Sequence, residues 1–215
     1  MTANDAPRLK NHWWSRPGWH PGRIMYTWHI TFEHATELHE HVRAYQAALT
    51  LPDLQLIPPR WLHLTVQGLG YTDEVGADLL DRSGIAVAEA LQRVPPFDLS
   101  FGRPDIRGEA IAMAPRPAEP LQEVWRTIRQ AIAEVTGEGA VHTGPEQANG
   151  FRPHVSVAYS SADHDAEPYA QALDSVRQPV TTTHVNAVSL IRQERLLAPH
   201  WLYRWTTAAV APLND

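Results

Sequence analysis

Hydrophobic and polar positions along the 215-residue chain follow two periods, and the switches between them divide it into strands and helices. The first regular run, Ile24 to Phe32 (IMYTWHITF), is rich in β-branched and aromatic residues and predicts a strand. In the following ATELHEHVRAYQAALT, Leu38, Val42, Tyr45 and Leu49 recur at three- and four-residue spacings, predicting a helix with one apolar stripe. Pro52, Pro58 and Pro59 then break the chain. RWLHLTVQGLG, Arg60 to Gly70, alternates: Leu64 and Val66 share one face of a strand, His63 and Thr65 the other.

Residues 73–94 predict a second helix, weakened by Gly76 and Gly84. FDLSFGRP and EAIAMAP predict two strands around a turn from Asp105 to Gly108. Leu121 to Val135 predicts a helix with Gly137 as its stop, and GEGAVHTGPEQANG reads as a loop. RPHVSVAYS, Arg152 to Ser160, then repeats the earlier alternation, with His154 and Ser156 opposite Val155 and Val157. A helix in HDAEPYAQALDSV and two strand-like runs, PVTTTHVNAVSLIRQ and HWLYRWTTAAVA, complete the chain.

The order strand, helix, histidine strand, helix, strands is followed by helix, histidine strand, helix, strands. This is a rough internal duplication, at a spacing too long for a solenoid and suited to two similar lobes. Residues 1–23, with Trp13, Trp14, Trp19, Pro17 and Pro21, show no period and read as an irregular arm, which leaves residues 24–215 as one body.

Composition narrows the function classes. The chain has no Cys, which excludes disulfides and thiolate metal sites and fits a reducing compartment. No stretch has the length of a signal-peptide core or a membrane span, so a cytoplasmic protein that does not enter a membrane is expected. The net charge of -6 argues against a broad basic surface for extended DNA or long RNA, and leaves a small phosphorylated ligand or an RNA end.

The two histidine strands suggest a chemistry. If their polar faces meet across a cleft, two imidazoles and two hydroxyls converge. Imidazole titrates near pH 6.5, so one ring can be neutral while the other is protonated. Such a pair serves in-line displacement at a phosphodiester without a metal: one ring deprotonates the nucleophile and the other protonates the leaving oxygen. Thr65 and Ser156 can donate hydrogen bonds to the non-bridging oxygens, where charge develops.

HLTV (His63 to Val66) and HVSV (His154 to Val157) resemble the paired His-x-Thr/Ser-x signature of the two-histidine (2H) phosphoesterase superfamily, which includes bacterial 2′-5′ RNA ligase-like 2′,3′-cyclic phosphodiesterases. The flanks LTVQGLG and FRPHVSVAYS resemble the family's surroundings of each motif, and the resemblance covers nearly the whole chain apart from the arm. It implies an α+β, bilobal fold: two pseudo-symmetric lobes with antiparallel sheets facing a central cleft and helices outside. It also implies His63 and His154 as the acid/base pair, Thr65 and Ser156 as phosphate ligands, no cofactor or metal, a nucleotide or RNA end as substrate, and a monomer. Gln67 and the tryptophan-rich arm depart from the family pattern and bear on the substrate more than on the chemistry.

Other residues carry weaker expectations. Arg152 shares the His154 face if the strand begins that early, and could pair with a phosphate. Tyr159 has the opposite parity and should point into the core unless the strand bulges. Tyr26 and Trp28 share a face and read as a core pair, with base stacking as the alternative. Among Arg192, Gln193, Arg195, Tyr203 and Arg204 of the last hairpin, Gln193 is kept as a candidate substrate contact. The arm's tryptophans read as packing rather than as a stacking platform, and His34, His39 and His41 as a solvated helix face. The rival functions are a nucleotide- or RNA-end-binding protein with a 2H-like cleft but no turnover, and a metal-dependent hydrolase, which chelation would distinguish.

Overall fold

A computed structural model describes residues 8–143 and 150–214. Within them, two four-stranded antiparallel sheets carry the fold. The first is built in the order β12-β11-β2-β4 from β2 (Ile24–Thr31), β4 (His63–Tyr71), β11 (Ala187–Leu196) and β12 (Leu202–Pro212). The second, β3-β8-β7-β6, is built from β3 (Leu54–Leu56), β6 (Asp105–Arg107), β7 (Ala110–Met113) and β8 (Val155–Ser160). Two small pairs complete the strands: β5 (Phe97–Phe101) with β10 (Thr181–Val185), and β1 (Arg8–Leu9) with β9 (His164–Asp165). The helices are α1 (Thr36–Ala48), α2 (Ala77–Leu91), α3 (Glu119–Thr136) and α4 (Glu167–Asp174).

This is the expected mixed α+β architecture. Each large sheet contains one histidine strand. The last hairpin, β11–β12, returns to pair with β2 of the first sheet. α2 and α3 pack on each other, α3 against β4, α2 against β12, and α1 against β8 and β10. The core faces of the histidine strands, Leu64, Val66, Val155 and Val157, are wholly buried. Each such aliphatic side chain contributes about 1.5–3 kcal/mol by leaving water, which anchors the opposite, polar faces.

Several elements depart from the sequence pattern. Asp105 to Arg107 forms β6 rather than a turn, pairing with β7 around Gly108, whose φ of 66° suits glycine. The run PVTTTHVNAVSLIRQ divides at Asn186 between two sheets, because β10 pairs with β5 while β11 pairs with β2 and β12. α3 stops at Gly137, as expected, where φ is 86°. Of the loop read at 137–150, positions 144–149 lie outside the described residues.

The helix histidines do not form a solvated face. His39 and His41 are buried on α1, and their Nε2 atoms bond the carbonyls of Phe32 (2.6 Å) and Gly102 (3.0 Å), while His34 is exposed. Both rings are satisfied by backbone, which explains their burial. No helix among the described residues is long and apolar enough to cross a membrane.

Candidate active site

A cavity of about 820 Å³ is lined by His63, Thr65, His154 and Ser156 together. The two lobes therefore bring the four residues of the paired motifs to one place. The two rings are fixed alike: Nδ1 of His63 bonds the Trp61 carbonyl (2.8 Å), and Nδ1 of His154 bonds the Arg152 carbonyl (2.9 Å). A carbonyl only accepts, so Nδ1 carries the proton in both rings and Nε2 is the nitrogen that gains or loses one. Burial, and secondarily the nearby His154, lower His63 to a pKa of about 4, against the opposing effect of its bond to Trp61.

The histidine strands share a further irregularity. In the β2–β4 ladder Thr65 is opposite His29 and Gln67 opposite Trp28, so the register skips Val66. In the β7–β8 ladder Ser156 pairs with Ala112 and Ala158 with Ile111, so Val157 is skipped in the same way. Each motif thus ends in a bulge, which reverses the alternation beyond it. For this reason Tyr159, which strict parity sends to the core, lines the cavity and hydrogen-bonds Ser156. Burial raises its hydroxyl well above the ordinary phenol range, so it stays protonated.

The remaining candidates divide. Gln193 lines the cavity from β11, with its side chain almost wholly buried. Arg152 does not line it: β8 begins at Val155, and the arginine side chain is exposed while its carbonyl holds His154. Nor does Tyr26, which packs against the core, because Met25 and Thr27 are the β2 residues that line the cavity. Arg192 and Arg204 are exposed, whereas Arg195 is buried and Tyr203 lines the cavity.

Of the arm's tryptophans, Trp13 is buried as packing, but Trp14 and Trp19, also read as packing, line the cavity. The sequence pattern did not single out His12 and Arg16 of the arm, Glu109 or His142, which line it too. The arm connects the two sheets: the amide of His12 donates to the Ser160 carbonyl, and further along the Tyr71 hydroxyl donates to the Pro17 carbonyl (3.2 Å). Glu109, between β6 and β7, accepts from Trp14 Nε1 (2.7 Å) and Arg16 Nη2 (2.7 Å) and faces His12 Nδ1 at 3.4 Å. Burial lowers His12 to a pKa of about 4 despite that carboxylate. Its ring stacks on Tyr159 at 4.0 Å. Behind His63 lies His29, wholly buried, with ring centroids 4.6 Å apart and planes 2° from parallel.

Among the described residues no group of three or more His, Asp or Glu is arranged to hold a metal ion. The chemical capacity of the cavity is proton transfer at two imidazole Nε2 atoms beside two hydroxyl groups.

Comparison with known proteins bears on the fold and the family. No curated protein matches the sequence. Among solved structures, Escherichia coli LigT complexed with 3′-AMP has 17% identity and a TM-score of 0.65, over 90% of this chain and 99% of that one. A Thermus thermophilus protein has 22% identity and a TM-score of 0.62, over 89% and 97%. A conserved Agrobacterium tumefaciens protein of unknown function has 13% identity and a TM-score of 0.55, over 88% and 86%. At these identities the structures are alike in fold. The sequence model of the 2′-5′ RNA ligase superfamily matches residues 22–196, both histidine motifs included, and the chain belongs to that superfamily of two-histidine phosphoesterases.

Proposed function

We propose that the protein is a metal-independent phosphodiesterase that opens a 2′,3′-cyclic phosphate, or cleaves a 2′-5′ phosphodiester, on a nucleotide or RNA end. The observation that carries this reading is the matched pair of imidazoles on one cavity, each with Nδ1 tied to a carbonyl and each two residues before a hydroxyl. Depressed by burial, His63 is neutral at pH 7 and fits the base that takes a proton from water. The water oxygen bonds to phosphorus, the bond to the ribose 2′ or 3′ oxygen breaks, and protonated His154 delivers its Nε2 proton to that oxygen. Thr65 and Ser156 donate to the non-bridging oxygens. The cavity volume suits a nucleotide, and solved structures of LigT hold 3′-AMP, ATP or NADP+.

The test is hydrolysis of the four nucleoside 2′,3′-cyclic monophosphates with EDTA present. Turnover that survives chelation and yields a single phosphate isomer supports the reading, and the isomer identifies the leaving oxygen. Absence of turnover on these and on 2′-5′-linked dinucleotides, with binding retained, would replace the enzyme by a nucleotide-end binder.

A further inference from the structure

Thr65 has one hydroxyl proton, and its direction decides whether the group can serve a phosphate. The neighbour that controls it is His29, whose Nε2 lies 3.2 Å from Thr65 Oγ1. β2 and β4 set this contact through their register, since His29 is directly opposite Thr65 just before the Val66 bulge. His29 is wholly buried, and its Nδ1 has no hydrogen-bond partner among the described residues. On one side its ring lies flat against His63, and the Trp205 ring stands nearly perpendicular to both, at 5.9 Å from His29 and 5.2 Å from His63.

Two neutral tautomers are open to His29. With the proton on Nδ1, a buried N–H has no acceptor, and Nε2 takes the Thr65 hydroxyl proton for itself. With the proton on Nε2, the ring donates to Thr65 Oγ1, and Nδ1 keeps only a lone pair without a donor. Buried N–H groups without acceptors are rare, so the second arrangement is favoured. It has a consequence for the site. With Oγ1 accepting from His29, the Thr65 hydroxyl proton is available to the cavity. A cationic ring is disfavoured, because burial and the adjacent His63 both hold His29 well below its ordinary pKa.

We propose that His29 is a positioning residue of this site: through its Nε2–H it orients the Thr65 hydroxyl as a donor to the substrate's phosphate, while its ring fixes the plane of His63. The proposal rests on the two-histidine reading of the cleft and adds a third histidine that touches no reacting atom. The other lobe makes a parallel arrangement by different means, with Tyr159 hydrogen-bonding Ser156.

The experiment begins with the wild-type protein and needs no turnover. Two-bond nitrogen–proton correlation spectra, with His29 assigned from His29→Gln, report its tautomer. A proton on Nε2 is expected; a proton on Nδ1, or on both nitrogens, overturns the proposal. Affinity for inorganic phosphate and kcat/KM for the cyclic monophosphates are then compared among variants of confirmed fold. His29→Phe keeps a flat ring against His63 but lacks the donor, and should lower both quantities roughly tenfold, the value of one lost hydrogen bond. His29→Gln puts an N–H at the place of Nε2 and should restore most of each. In a Thr65→Val background, His29→Phe should cost little more. Equal behaviour of the wild type and His29→Phe, or effects of His29→Phe and Thr65→Val that multiply, overturns the proposal. A wild type that fails to turn over any phosphodiester defeats the enzymatic reading instead, and leaves the tautomer and the phosphate affinities to judge His29.

Discussion

His63 and His154 are tied by the same short bond, from ring Nδ1 to the carbonyl two residues earlier, at 2.8 and 2.9 Å. The two rings come from different sheets, yet in each the backbone just before the motif fixes which ring nitrogen carries the proton. Asparagine places its amide nitrogen near the position of imidazole Nδ1, so His63→Asn and His154→Asn can keep the backbone bond while removing Nε2. Each variant should lose about 10²–10⁴ in kcat, the usual size of a general acid or base contribution, with a nearly unchanged melting temperature. A loss of activity that tracked a loss of folding would refute the assignment.

The depressed histidines set the direction of the acid response. His63 and His12 titrate near pH 4 in the folded chain, His29 well below its ordinary value, and all three near 6.5 when unfolded. Below about pH 6.5 the unfolded chain binds protons that the folded chain does not, so stability falls as pH falls, and this loss levels off below the folded pKa. For His63 and His12 the contribution is at most about 3 kcal/mol each. Melting temperature followed from pH 7.5 to 4 should be insensitive to these groups down to about pH 6.5 and decline below it, with the decline reduced in His12→Gln. If His63 is the base, the acid limb of kcat/KM should fall near pH 4 rather than 6.5.

Alternation along the chain makes much of this site legible. Two words of the form His-x-hydroxyl, each in a strand with an apolar opposite face, locate the four motif residues that share the cavity. Parity fails where a bulge intervenes, and the bulge at Val157 is what turns Tyr159 into the cavity. His29 is within reach of the same reasoning, since Met25, Thr27 and His29 alternate against Tyr26, Trp28 and Ile30, but the aromatic face of that strand carries the stronger pattern and points to the wrong side. The arm is illegible in principle, because its contribution comes from long-range contacts and not from periodicity. Its backbone is held by Arg195, more than 180 positions later in sequence.

That arginine provides a test of the arm. Arg195 is buried; its Nη2 donates to the carbonyls of Trp14 (2.9 Å) and His12 (3.4 Å), and its Nε to the Tyr203 hydroxyl (3.2 Å). Arg195→Met preserves most of the apolar stem but leaves those acceptors without their donor. Charge-assisted bonds of this kind are worth about 1.5–3 kcal/mol each, and partial compensation by water should leave a net loss of about 2–4 kcal/mol. For a chain of this size the melting temperature should fall by on the order of 10 °C. Because the arm supplies His12, Trp14 and Arg16 to the cavity, KM should rise in the same variant. An unchanged KM would show that substrate does not depend on the arm.

Gly68 tests the other wall. It follows the Val66 bulge on β4, and a Cβ added there would lie 2.6 Å from Met25 Cε and 2.7 Å from His142 Cδ2. Both distances are well inside van der Waals contact, so the absence of a side chain at this position is what lets the His142 ring sit against the strand. The Met25 methyl group is the end of a flexible side chain and can swing away. The imidazole is less free, because the carbonyl of the same residue accepts from the buried Gln67 Nε2 at 2.6 Å. Gly68→Ala should therefore cost about 1–3 kcal/mol, as overpacking of a close contact does. Removing the ring should relieve it: in a His142→Ala background the alanine should cost clearly less. Additive costs, measured by denaturant unfolding of the two single variants and the double, would mean that the glycine is required by the backbone of β4 and not by the histidine.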